Sequence, residues 1–558
     1  MTNWRAGTAA RIGGALALLT GLAACTTQSQ QYTPLPPTVP KLRMPRNDVY
    51  ISSFRANALR PTFMWESSAA TVKDPVRYEL QLSADKAFEN DVVHAELLTP
   101  SFQPDQDLPI STVPPVGRRY YWRVRACLPL ICSEYSPTWW LNLGRSAKDF
   151  NGDGYADVAI GTPDFNSSDG RVEVYFGGPG ATFDPTSDGA LTGDRTGESF
   201  GFTLAAAGDF NADGFADLLV GARGTTTGAK TPGRGYLYFG ASGRSFDLVP
   251  DVIFEGEVDE DFASALGAAG DFNGDGFSDV AIGARSNGAR GTAAGRVYVY
   301  HGGTDGPLDQ VDSVLTGEMR MEEFGSGISS GDLNGDGTSD LVISAASFPN
   351  GFKQTCATQI YLGVPGGTHN GSRALSLSDE PIATCVSTAL ATGDINHDGF
   401  NDIVRIANSS NLTQVTAIHL GGVTLTSAPD ASIQTMDTPE YRLVTRAAMI
   451  GDLNGDDLED IAIGYASLTN ILLANRGGVD ARPTFSVAAS VPGALLTALA
   501  GDVNGDGYDD FVIRDGAEPA VSVYFGAAGG LLDAAPRGTM TNPTQPSFGT
   551  VLALRARR

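Results

Sequence analysis

Histidine is scarce in this 558-residue chain: only His94, His301, His369, His397 and His419 occur, spread along its length. There is no HExxH pair, no nucleophile elbow and no phosphate-cradling glycine loop. The usual arrangements of base, nucleophile and oxyanion cradle therefore have no residues to build them, and no enzyme activity is expected. Cysteine is as rare. The five residues form no Cys-x-x-Cys and no Cys/His cluster, which excludes a zinc site of ordinary spacing. Positive charge is short as well, with 38 Lys and Arg against 64 Asp and Glu and a net charge of −26. Binding a phosphate backbone needs a basic face, so nucleic acid is excluded as a partner. Electrostatic attachment to anionic lipid is excluded on the same ground. Long apolar runs are missing too, and residues 12–22 are too few to cross a bilayer.

What the first residues do contain is a basic start (Arg5, Arg11), a short small-residue apolar stretch, and then Leu22-Ala23-Ala24-Cys25. This resembles a bacterial lipoprotein signal, which implies that 1–24 is removed and that the Cys25 thiol is acylated, anchoring the chain to a membrane. An ordinary secretory signal followed by a chance cysteine is the alternative. Export implies an oxidising compartment, in an outer-membrane or cell-surface setting. Residues 25–45, rich in Thr, Gln and Pro, read as a flexible tether. With Cys25 set aside, four cysteines remain. Cys127 and Cys132 are placed to staple a hairpin, and Cys356 and Cys385 to join neighbouring repeats.

One string, Asp-x-Asn-x-Asp-(Gly)-x-x-Asp, occurs seven times, at intervals of 60, 62, 61, 62, 58 and 50 residues. A hard cation such as calcium takes six to eight oxygens, and this spacing offers them. The first position is Asp149, Asp209, Asp271, Asp332, Asp394, Asp452 and Asp502. The third is Asn151, Asn211, Asn273, Asn334, Asn396, Asn454 and Asn504. The fifth is Asp153, Asp213, Asp275, Asp336, Asp398, Asp456 and Asp506. The seventh, contributing a backbone carbonyl, is Tyr155, Phe215, Phe277, Thr338, Phe400, Leu458 and Tyr508. The ninth, which closes the shell, is Asp157, Asp217, Asp279, Asp340, Asp402, Asp460 and Asp510. About seven calcium sites are expected. The sixth position is glycine in six copies, as a left-handed backbone requires, and Asp457 in the other.

An EF-hand would need a bidentate Glu at position 12 between two helices. Position 12 is instead Ile160, Val220, Ile282, Ile343, Arg405, Ile463 and Ile513. The short apolar runs after each loop read as buried strands. The 21 aspartates at positions 1, 5 and 9 account for most of the net charge of −26, so the acidity belongs to the loops and not to a general acidic surface.

Each repeat also carries an apolar segment before the loop, opened by Phe200-Gly201, Phe262-Ala263 or Phe324-Gly325, and two further strand patterns after it. Four strands per period make one propeller blade. These features resemble the FG-GAP repeat, the propeller unit of integrin α subunits, over residues 144–558. The resemblance implies an all-β fold with a seven-bladed β-propeller, structural calcium in the blades, and an adhesion or interaction role toward a protein or glycan ligand. Blades five to seven lack the Phe-Gly element. The first loop has none upstream either, but Ser547-Phe548-Gly549 stands near the C-terminus. A C-terminal strand completing the first blade is therefore predicted, which would remove two exposed edges.

Residues 46–143 do not repeat. Phe63-Met64-Trp65, Tyr78-Glu79-Leu80-Gln81-Leu82 and Tyr120-Tyr121-Trp122-Arg123-Val124 alternate as half-buried strands. Their order resembles a fibronectin type III sandwich, though another small β-sandwich shares the pattern. The aromatics at strand positions are expected in its core. Two other functions stand beside the interaction module: a hydrolase site hidden in the propeller channel, and a purely structural envelope component.

Overall fold

A computed structural model describes residues 35–552 apart from 56, 72–73, 226–229, 244–247, 348–354, 379–389, 409–413, 435–443, 466–467, 477, 480–482, 489–495, 516–518, 531–534, 543–547 and 549–550. Cys25, Cys385 and the side chain of Cys356 lie outside the described residues, and with them the lipidation site and the second disulfide.

The fold is all-β. From residue 158 onward the described strands form seven four-stranded antiparallel sheets, together with one two-residue hairpin. The second sheet shows the pattern: Thr203–Gly208, Asp217–Ala222, Arg234–Tyr238 and Val252–Glu255 pair in chain order. Its second strand is buried along its whole length, as expected for a continuous apolar run covered on both faces. The first strand is rich in alanine, and small side chains let neighbouring sheets approach where they converge. The first strands of successive sheets touch in chain order, and the last contacts run from Leu496–Gly501 to Val551–Leu552 and on to Thr203–Gly208. The cycle of contacts is closed.

The closing member comes from the chain's end. Val551–Leu552 pairs antiparallel with Val158–Thr162, through Gly161 and Ile160, and supplies the strand that the first sheet lacks. Phe548 is fully buried among Ile160, Tyr175 and Val521. Its carbonyl accepts a hydrogen bond from Arg514 Nε of the seventh sheet at 2.8 Å. The same phenylalanine recurs as Phe200, Phe262 and Phe324, each buried. Phe200 meets Tyr236 edge-on at 5.3 Å and forms a parallel bridge to Gly170 of the preceding sheet. A buried glutamate stands two residues before three of these rings and was not singled out by the sequence reading. Glu198 and Glu260 accept from the hydroxyls of Tyr236 and Tyr298, and Glu322 from the amide of Gln359.

Gly170 has φ +85°, and a β-carbon there would fall 2.1 Å from the Phe200 carbonyl oxygen. Gly170→Ala is expected to cost about 1–3 kcal/mol, by backbone strain and by loss of the inter-sheet bridge. A urea midpoint equal to that of the parent protein would refute this.

The N-terminal part has two sheets around one core. Leu42–Met44, Phe63–Trp65 and Ser101–Phe102 form the smaller; Val49–Ile51, Trp139–Leu143, Arg118–Leu128, Arg77–Ser83 and Asp91–Leu97 form the larger. Phe63, Trp65, Tyr78, Tyr120, Trp122 and Trp139 fill the space between, and Trp122 lies edge-on to Phe63 at 5.1 Å. Cys127 and Cys132 are joined in a disulfide. The tether was expected to run to residue 45, but Leu42 is buried and pairs with Trp65. The apolar Leu42 therefore brings the start of the sheet forward into that stretch.

Candidate metal centres

Each loop bridges the first two strands of a sheet, except that the first loop follows the linker at 144–148. Its shape comes from its own side chains. In the first loop Asp149 accepts from the backbone N–H of Asp153 and Gly154, at 3.0 and 2.7 Å. Asn151 Oδ1 accepts from the N–H of Asp153 and its amide donates to Asp153 Oδ2, at 2.9 and 3.1 Å. Asp153 Oδ1 accepts from the N–H of Tyr155 at 3.0 Å. Short carboxylates and amides folded back on the chain in this way hold a turn that apolar residues could not.

The sixth position is left-handed in every copy, from Gly276 at φ +100° to Asp457 at +67°. The fourth is left-handed too, and the sequence reading missed this. Ala212 at +57° and His397 at +58° adopt it without glycine, while the other five copies have glycine there; that recurrence was the available signal.

Position nine accepts two backbone hydrogen bonds in every loop. Asp157 Oδ2 accepts from the N–H of Phe150 at 2.7 Å, and Oδ1 from that of Gly177 after the sheet's third strand at 2.9 Å. The same pair of bonds recurs in all the other copies, for example from Phe210 and Gly240 to Asp217 and from Val503 and Gly526 to Asp510. One buried carboxylate thereby fixes the loop to its own sheet.

The loops are also bonded to one another. The N–H at position eight of each loop donates to the carbonyl at position one of the loop before it. The pairs are Ala216 to Asp149, Ser278 to Asp209, Ser339 to Asp271, Asn401 to Asp332, Glu459 to Asp394, Asp509 to Asp452, and Ala156 to Asp502. The last pair joins the first loop to the seventh, so the circuit returns on itself independently of the C-terminal strand.

The first and ninth aspartates are buried in all seven loops, while the fifth lies at the solvent edge. Burial raises the carboxyl of Asp157 well above its ordinary value, with Asp149 adding to it. Asp217, Asp279, Asp340 and Asp510 are raised for the same two reasons, burial and the first-position aspartate. Burial and then Asp153 push Asp149 up to about 7, and burial pushes Asp402 and Asp460 up to about 8. These are the marks of carboxylates gathered without enough positive charge. Asp209 Oδ1 and Asp271 Oδ1 are buried with no hydrogen-bond partner. The donor set, all carboxylate, amide and carbonyl oxygen, fits a hard cation. The structure does not bring the three aspartates of any loop into one shell. Among the described residues, the one group of three acidic, Cys or His side chains with ligand atoms within 4.8 Å is Glu79, Cys127 and Cys132. Both of its sulfurs are already spent in the disulfide.

What sequence reasoning did not find is that the N-terminal domain covers the loop-bearing face. Arg119 Nη2 lies 3.2 Å and Arg145 Nη1 3.9 Å from Asp209 Oδ2. Trp140 Nε1 donates to Asp271 Oδ2 at 3.4 Å, with the Arg119 guanidinium 3.9 Å above its ring. Asn47 donates to the Gly337 carbonyl at 2.6 Å. Arg46 lies 4.0 Å from Asp394 and 3.5 Å from Glu459. Arg55 reaches Asp452 at 2.8 Å and Asp457 at 3.0 Å. Phe54 stacks on Tyr155 of the first loop at 4.7 Å, and a β-carbon on Gly507 of the seventh would meet the Phe54 carbonyl at 3.1 Å. The available signal was charge. Residues 35–148 hold more Lys and Arg than Asp and Glu, in a chain whose net charge is −26.

The FG-GAP repeat family matches residues 262–300 and 324–372, and an FG-GAP-like repeat matches 149–220. Integrin alpha-PS2 of Drosophila melanogaster is 34% identical over 213 residues, covering 36% of this chain and 15% of that protein. Integrin alpha-7 of Rattus norvegicus is 36% identical over 162 residues, covering 28% and 13%. Integrin alpha-5 of Xenopus laevis is 29% identical over 265 residues, covering 44% and 23%. The chain spans less than a quarter of the length of these relatives. A solved structure of a mutant of AofleA from Arthrobotrys oligospora aligns at 12% identity with a TM-score of 0.33, over 67% of this chain and 83% of that one; a likeness so slight bears no weight. The repeats and the integrin alpha likeness support an integrin-like FG-GAP β-propeller. No described helix is long and apolar enough to cross a membrane.

Proposed function

We propose that this chain is an exported protein, lipid-anchored through Cys25, that works as an adhesion or interaction module. In this reading the seven sheets are the blades of one closed propeller, and a fibronectin type III-like sandwich sits between it and the membrane. Each loop would hold calcium through its aspartates at positions one, five and nine, its asparagine at three and its carbonyl at seven. The ion would supply the positive charge that the buried carboxylates lack.

The observation that carries the interaction reading is the unequal use of the two faces. One face is covered by the N-terminal domain. At the other end of the sheets the loops are polar, and their charges are paired with one another: Arg223 and Arg285 with Asp261, Arg234 with Asp194 and Glu255, Lys230 with Asp259. Exposed loops on a rigid scaffold are where binding residues concentrate. A hydrolase in the channel has less support. None of the seven innermost strands contains His, Asp or Glu, so a general acid or base would have to come from elsewhere.

The test is capture. The mature protein, immobilised through its N-terminus in calcium, should retain a surface protein or glycan from envelope extract and from a glycan array. Charge reversal at Lys230, whose pair with Asp259 is exposed, should weaken retention while leaving the melting temperature unchanged. Retention of nothing from either source would favour the structural-component reading instead.

A further inference from the structure

The seven loops are alike in sequence but are not met alike by the domain that covers them. In the second, fifth and sixth loops the first-position aspartate faces a guanidinium from outside the ring: Arg119 and Arg145 at Asp209, Arg46 at Asp394, and Arg55 at Asp452. In the first, third and seventh no ion pair is formed by Asp149, Asp271 or Asp502 among the described residues, and Asp271 receives the neutral indole N–H of Trp140 instead. The arginine does not take the whole carboxylate. At Asp209 both guanidinium contacts are to Oδ2, and Oδ1 is buried without a partner. An oxygen is thus still available to a cation, but beside a fixed positive charge.

We infer that the N-terminal domain and the linker after it sort the loops into two affinity classes, with Arg119, Arg145, Arg46 and Arg55 as the residues that weaken cation binding at the second, fifth and sixth. The inference rests on the calcium reading above. A unit charge held against a ligand of a dication weakens its binding by roughly tenfold even when the surroundings screen like water, and by more where they do not. The aspartates of these loops are buried, so tenfold is the smaller end. The unpaired class fills first and serves stability. The paired class fills only at higher free calcium.

The experiment is calcium titration by calorimetry on the full mature chain. The parent protein should show two phases at least tenfold apart, the weaker holding at least the ions of the second, fifth and sixth loops. Arg55→Gln should move one ion from the weak phase to the tight phase, Arg55→Lys should hold it in the weak phase, and Asp452→Asn should delete it without disturbing the tight one. A single class of seven sites, unchanged by Arg55→Gln, would overturn the sorting and leave the calcium reading intact. No binding at all would overturn both. Because Asp452→Asn leaves the arginine in place, a folding failure of Arg55→Gln alone would not hide the answer.

Discussion

Chelating calcium should lower the melting temperature of the mature protein on the order of 10 °C. At free calcium ten times the dissociation constant, one site adds about 1.4 kcal/mol, so seven add about 10 kcal/mol. Unfolding entropy near 2.1 cal/mol/K per residue, over the roughly 410 residues from 144 onward, converts that to about 12 °C. The dependence on pH gives the effect a signature. Without calcium, burial and neighbouring loop carboxylates hold Asp271 and Asp502 up to about 6, Asp149 about 7, and Asp402 and Asp460 about 8, against an ordinary 3.8. The native state then binds more protons than the unfolded chain between about pH 4 and 8, so the chelated protein loses stability as pH rises through that window. Bound calcium would remove the reason for the shift, and the gap between loaded and chelated melting curves should widen from pH 5 to pH 8. Coincident curves at pH 8 would refute the metal reading.

Truncation after Pro546 should strongly destabilise the fold. It removes Phe548, whose burial is worth about 3–5 kcal/mol on the scale of Phe→Ala substitutions. It takes the acceptor from the buried Nε of Arg514, which costs about 1–3 kcal/mol more. It also exposes the edge of Val158–Thr162 to any chain with a strand to offer. We expect a lowered urea midpoint, and oligomers on size exclusion that Phe548→Ala alone does not form, because Phe548→Ala keeps the closing strand. The hydrogen bond from Ala156 to Asp502 survives truncation, so the ring should loosen at this seam before it opens. A monomer with an unchanged midpoint would show that the last strand does not hold the structure together.

The repeat was legible because its spacing is chemical. Aspartates four residues apart, with asparagine between the first two and glycine at the sixth place, announce an oxygen-lined turn, and Asp457 takes its left-handed φ as that turn demands. The closing strand was legible because Phe548-Gly549 repeats Phe200-Gly201. The fifth to seventh sheets were harder to bound, since Leu390–Gly393, Val444–Gly451 and Leu496–Gly501 begin without that phenylalanine. Other features left no pattern to find. A run of side chains reveals what a carboxylate is, not which N–H groups converge on it, so the double duty of Asp157 was invisible. The docking of one domain on another depends on shape across more than a hundred residues, and Arg46, Arg55, Arg119 and Arg145 are too far apart to form a motif. Only their charge, set against an acidic chain, pointed toward the loops.

The circuit of seven backbone hydrogen bonds through the loops has a mechanical consequence. If the chain is held at its N-terminus and pulled through whatever it grips, force enters at one loop and leaves at another. In an open stack the weakest junction between sheets would carry all of it. In a closed hoop no junction can widen unless others narrow or shear, so load is shared around the circumference. Each junction carries a backbone bond between neighbouring loops, such as Ser278 to Asp209. A ring built this way yields as a whole or not at all.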